Sequence, residues 1–218
     1  MKKVTQLAAA IALTAGTMAA APVAMAEVSG SVAVASTYLW RGYDLGSGTP
    51  AVSGDLSYSN SGFYTGAWVS SGDTSAGTEY DLYAGWGGEF GGLTVDLSVW
   101  NYVYPTGGGY TADGETDIGD LTDVILTLGF GGVSFSYYEP VAGDGVYDYN
   151  YYTLSYGIGA FSFTLGMHDN DEGDDPTHLN IDYAYNDNLT FTISQFVSDE
   201  PEGDDLKFVV SYSLPLGM

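Results

Sequence analysis

Five aspartates and one arginine stand where charge would do the most work. Asp55, Asp81, Asp96, Asp123, Asp182 and Arg41 each fall in or beside a run of alternating apolar and polar residues, on the polar parity. In such a run successive side chains point to opposite faces. If the apolar parity meets lipid, a charge there near the midplane is destabilising by about 2–4 kcal/mol. The six charges are therefore expected to point inward and to be the pore-lining residues. Inward carboxylates make a wet, negative lumen that concentrates cations and repels anions. Arg41 is expected to pair with an interior carboxylate, for which its forked guanidinium is suited.

Other chemistries fit less well. His168 and His178 are the only histidines and share the inward parity with Thr164 and Asp182. A hydrolase would need a nucleophilic serine within reach of a base, and only Ser162 and Ser194 are distant candidates. The run Asp169-Asn170-Asp171-Glu172-Gly173-Asp174-Asp175 offers oxygens to a hard cation. It lacks the glutamate and spacing of an EF-hand loop and reads as a solvated acidic loop, as does 199–205. Gly85, Gly87, Gly88 and Gly107–Gly109 precede no helix, so they are not phosphate loops. No catalytic residue, metal site or cofactor is expected, and the chain reads as a non-enzyme.

The elements that hold these residues are strands. Leu206, Phe208, Val210, Tyr212 and Leu214 occupy one face of the last run, and Lys207, Val209, Ser211 and Ser213 the other. The same pattern predicts twelve strands, at about 28–41, 51–59, 63–71, 79–90, 93–104, 120–130, 133–139, 148–158, 161–168, 177–185, 189–197 and 205–214. Connectors between them alternate, long then short, which is the grammar of an outer-membrane barrel. An even strand number puts both termini on the short-turn side. Most acids lie in the long connectors, while Glu89 and Asp187 sit at the short-turn side. Tyr38, Trp40, Tyr80 and Tyr152 are expected as a girdle near the long loops. Tyr58, Phe63, Phe90, Phe130, Phe161, Tyr185, Phe191 and Tyr212 are expected as a second girdle near the turns. A soluble sandwich would also alternate, but it gives no reason for two girdles or for strict long–short connectors.

Residues 1–26 read as a cleaved signal peptide. Lys2 and Lys3 precede an apolar stretch, and Ala24-Met25-Ala26 is a cleavage site before Glu27. Removing it leaves Arg41 and Lys207 as the only basic side chains against 28 acids. That balance excludes nucleic acid as a partner, since binding it requires Lys and Arg on phosphates. The chain has no cysteine and so no disulfide. No later segment is apolar enough for a spanning helix, so any crossing of a bilayer uses strands.

The segment Thr37-Tyr38-Leu39-Trp40-Arg41-Gly42-Tyr43-Asp44, with Gly48-Thr49-Pro50-Ala51-Val52 after it, resembles the opening of the TorF-like porins of proteobacteria. The blocks 63–70 and 79–86 resemble the next two of that family, and the similarity is densest over 28–100. The resemblance implies an outer-membrane location and a channel role, and brings no substrate. The chain departs from many outer-membrane proteins in ending Leu214-Pro215-Leu216-Gly217-Met218 rather than on an aromatic residue.

The sequence thus predicts an all-β protein: one 12-stranded antiparallel transmembrane β-barrel over 27–218, after the signal peptide. It is expected in the Gram-negative outer membrane, with the lipid bilayer and small hydrophilic solutes or cations as its partners. The expected function is a passive, cation-preferring porin. The alternative is a closed barrel acting at the surface through its acidic loops.

Overall fold

A computed structural model describes residues 26–107, 109–110, 116–143, 149–201 and 205–217. The expected signal peptide lies outside these residues except for Ala26, as do parts of the longer connectors. The described elements are all strands: β1 (Glu27–Ala35), β2 (Leu39–Trp40), β3 (Tyr43–Asp44), β4 (Ala51–Asn60), β5 (Phe63–Asp73), β6 (Gly77–Phe90) and β7 (Leu93–Val103). They continue as β8 (Leu121–Phe130), β9 (Val133–Ala142), β10 (Tyr149–Ile158), β11 (Phe161–Asn170), β12 (Thr177–Ala184), β13 (Leu189–Ser198) and β14 (Lys207–Leu216).

Twelve of these close into a barrel in which each strand pairs antiparallel with its neighbours. The seam joins first to last: Val32 stands opposite Leu214 and Val34 opposite Tyr212. Closure leaves no edge, so every strand has backbone partners on both sides. β14 runs on through Pro215, which stands opposite Ser31.

The alternation in sequence becomes two different walls. Val52, Leu56, Leu97, Val99, Leu154, Leu165, Ile193 and Phe208 are exposed on the outside. Between them Ser53, Ser57, Ser98, Ser136, Thr153, Asn180, Thr192 and Ser211 are buried on the inside. The aromatics expected at the short turns include Phe63, Phe90, Phe130, Phe161, Tyr185 and Tyr212, all exposed. The turns are tight because their residues accept a left-handed backbone. Gly91 and Gly92, at φ 61° and 89°, form the two-residue link between β6 and β7.

Two expectations are corrected. The first strand does not run to Arg41. It ends at Ala35, and residues 39–44 form a separate hairpin, β2–β3, rather than the end of a strand and an open loop. Tyr38, expected in the outer girdle, is 5% exposed and Trp40 packs against the buried cluster of Tyr102, Tyr104 and Leu121. The cause is local. Arg41 and Gly42 both have positive φ and make the hairpin turn, and the Thr37 hydroxyl bonds the Asp44 carboxylate across its base. Second, Pro140 lies within β9 rather than in a connector. It stands opposite Asp123, beside a register shift between Thr122 and Asp123. A strand tolerates proline at such an irregularity because no ladder N–H is required there.

Candidate functional site

The interior divides into two levels. On the long-loop side the β2–β3 hairpin folds into the barrel and seats its turn on strands from the far side. Arg41 Nη2 donates to Asp123 Oδ2 on β8 at 2.6 Å, with both side chains almost fully buried. Arg41 Nη1 donates to the Tyr149 hydroxyl on β10 at 3.2 Å. The Tyr102 hydroxyl donates to the same Asp123 oxygen at 3.1 Å. The guanidinium carbon lies 4.5 Å from the centre of the Trp40 ring and 4.8 Å from those of Tyr138 and Tyr151. A buried charge is stable only with a partner and hydrogen bonds of this kind.

The histidines hold the backbone of the same turn. His168 Nε2 donates to the Arg41 carbonyl at 2.8 Å. His178 Nδ1 donates to Asn180 Oδ1 at 3.0 Å, which leaves its Nε2 to accept the Tyr151 hydroxyl at 2.7 Å. Gly42 lies so close to His178 that a Cβ would come within 2.7 Å of the ring. Among the described residues neither histidine bonds a serine. Ser162 instead donates to Asp182, and Ser194 is fully buried.

Next to this seat lies a second acidic group. Glu79 and Asp81 follow each other on the inner face of β6, 1% and 4% exposed. Glu79 Oε1 accepts the Tyr104 hydroxyl at 2.8 Å. Asp73 accepts the backbone N–H groups of Ser75 and Ala76 at 2.8 and 2.7 Å and the Tyr110 hydroxyl. Burial, reinforced by the Glu79 charge, raises the Tyr38 and Tyr104 hydroxyls well above their ordinary pKa, so both remain protonated.

The second level lies toward the short turns, where hydroxyls rather than cations meet the carboxylates. Tyr83 donates to Asp55 Oδ2 at 2.8 Å. Tyr64 donates to Asp96 at 2.8 and 3.0 Å. Thr192 and Ser162 donate to the two oxygens of Asp182, at 2.6 and 3.1 Å. Among the candidates from sequence, Arg41 and Asp123 are thus brought together, with Asp81 within reach of the Asp123 charge. Asp55, Asp96 and Asp182 stand apart, each with its own hydroxyl donors. Among the site residues the sequence did not single out are Glu79, at the start of the strand expected over 79–90, and Asp73, in the connector before it. The parity of Glu79 with Asp81 and Tyr83 was the available signal.

At the outer rim a cleft of about 460 Å³ opens between the hairpin base and β14, lined by Ser36, Thr37, Asp44, Asp205, Lys207 and Phe208. Among the described residues no three metal-ligating side chains converge.

Fold and site together define a closed antiparallel barrel with an apolar exterior, an acidic polar interior and an in-folded hairpin. The chain belongs to the family described as "Bacterial protein of unknown function (Gcw_chp)", whose pattern matches residues 19–193. The match carries no statement about the TorF-like porins that the opening residues resemble. No curated protein matches the chain significantly. Among solved structures, it is similar to the KdgM porin at 8% identity, over 88% of this chain and 99% of that one, with a TM-score of 0.46. Outer membrane phospholipase A from Escherichia coli matches at 12% identity, over 87% and 90% of the two chains, TM-score 0.46. A mutant of the Rh. blastica porin matches at 17% identity, over 75% and 55%, TM-score 0.42.

Proposed function

We propose that this barrel spans the outer membrane of a Gram-negative bacterium after loss of residues 1–26. There it acts as a passive, cation-preferring channel for small hydrophilic solutes, narrowed on its long-loop side by the β2–β3 hairpin. The observation that carries the reading is the wall itself. Its outer face presents Val, Leu, Ile and Phe to the surroundings, while its inner face carries Ser, Thr and Asp. Water on the outside would leave that apolar area unfavourably hydrated, at a cost of roughly 1.5–3 kcal/mol for each large side chain. Lipid removes the cost.

The inner charges supply the ion preference. Asp55, Asp96 and Asp182 are bonded by hydroxyls, which support an ionised carboxylate without cancelling its charge. Their field favours cations along the path. The hairpin gives a second reading its own support. Its turn is buried against β8, β10 and β11, as in a closed barrel that acts through its acidic outer loops.

The test is single-channel recording of the refolded mature protein in a planar bilayer under a KCl gradient. Discrete steps with a reversal potential favouring K⁺ support the channel. An anion-favouring potential would remove the charge argument. Silence from protein shown to be folded and inserted would leave the closed barrel.

A further inference from the structure

Glu79 and Asp81 are two carboxylates on one inner face, each more than nine-tenths buried. Each has an oxygen for which no hydrogen-bond partner exists among the described residues: Oε2 of Glu79 and Oδ1 of Asp81. Leaving a buried acceptor unmet is destabilising, and more so when it is charged. The charges of Glu79 and Asp123 both bear on Asp81, so repulsion adds to that cost. Arg41 makes its direct ion pair with Asp123. The pair on β6 therefore presents two buried carboxyl groups, each with an unmet oxygen, two residues apart on one inner face, with the Tyr38 and Tyr104 hydroxyls and the Arg41 charge close to Glu79.

The neighbours of the pair are polar and aromatic. Across the strand pairs, Ser70 stands opposite Glu79, and Trp68 and Tyr102 flank Asp81. Tyr38 lies against Trp68, with ring centres 6.0 Å apart. The Tyr104 hydroxyl is fixed on Glu79 at 2.8 Å. Hard divalent cations take oxygen ligands, commonly one or two carboxylates completed by carbonyls and water. A small divalent cation is the charge complement of two carboxylates.

We propose that Glu79 and Asp81 form a binding site for a small divalent cation, of the Ca²⁺ or Mg²⁺ class, beside the hairpin seat. The site rests on the reading of the interior as a path open to ions. It places on that path a position where a cation pauses with part of its water shell removed, and it makes the ion part of what holds β6 near Tyr38 and Tyr104.

The experiment is calorimetric titration of CaCl₂ into the refolded mature barrel in choline chloride, compared with the isosteric double variant Glu79→Gln/Asp81→Asn. Thermal unfolding is followed on both proteins with and without CaCl₂. Wild type is expected to bind Ca²⁺ and to unfold at a higher temperature with it. The variant is expected to lose affinity by about tenfold or more, because ligand charge sets affinity at such sites, and to lose the thermal shift. Binding that survives the double substitution overturns the proposal, since the acidic outer loops would then hold the ion. Absence of heat and of thermal shift in wild type overturns it as well, and needs no variant to fold. Conductance is recorded separately. Binding by a barrel that does not conduct keeps the site and removes the channel, and conductance without binding does the reverse.

Discussion

Tyr64 and Tyr83 each lie over a glycine of the other's strand. Tyr64 on β5 stands opposite Gly85 on β6, and Tyr83 on β6 stands opposite Gly66 on β5. Their ring centres are 6.2 Å apart. Each ring crosses the neighbouring strand to reach a carboxylate beyond it, Asp96 for Tyr64 and Asp55 for Tyr83. Glycine is required because a Cβ at either position would come within 2.4 Å of the facing ring or its hydroxyl. The arrangement lays two large side chains along the wall and positions two of the acids that face the interior.

Gly66→Ala or Gly85→Ala should therefore displace a ring and cost about 1–3 kcal/mol, the range for forcing an extra methyl group into packed space. Equilibrium urea unfolding in lipid vesicles, followed by tryptophan fluorescence, measures it. Gly157→Ala is the control, since a Cβ there meets nothing within 4 Å.

Arg41→Met removes the guanidinium and keeps most of the stem. It leaves Asp123 in a buried site without its cation, which costs about 3–5 kcal/mol for a buried pair broken on one side. Arg41→Met/Asp123→Asn should recover much of that loss, because the stranded charge is gone. The same unfolding measurement on the single and double variants reads the difference.

Leu97→Arg places a charge at the middle of β7 on the exposed outer wall. In lipid it should cost about 2–4 kcal/mol and reduce the fraction that inserts into vesicles. Ser98→Arg would not separate location from packing, because Ser98 is buried inside. A barrel that worked in water would accept Leu97→Arg with little change.

Replacing residues 39–44 with a short Gly-Ser link removes the hairpin while leaving β1 and β4 paired. If the hairpin is the constriction, unit conductance rises and preference between small cations weakens. Planar-bilayer recording of both proteins checks it. Unchanged conductance would place the narrowest point elsewhere.

Most of the barrel was legible because period-two alternation leaves little choice. A slip of one residue would carry an entire apolar row into the interior. The eleven later strands fall within a few residues of their expected bounds for that reason. The first strand misled because alternation continues through the bend: Val34, Tyr38 and Trp40 keep parity while the chain leaves the wall. Arg41-Gly42 flanked by Thr37 and Asp44 carried the turn, yet the backbone signal favours Asn or Asp before Gly, and arginine hid it. The inward direction of the aspartates was legible from parity. Their partners were not, because Asp123 meets Arg41 across 82 residues of sequence.

The hairpin has a consequence for how the chain assembles. It follows the first strand directly, yet its seat is built from β8, β10, β11 and β12, with the His168 bond to Arg41 spanning 127 residues. Contacts so distant in sequence form only after much chain entropy has been lost, and they slow folding. Residues 39–44 thus tie the start of the chain to strands made much later, and the hairpin has no seat until β8, β10, β11 and β12 are present.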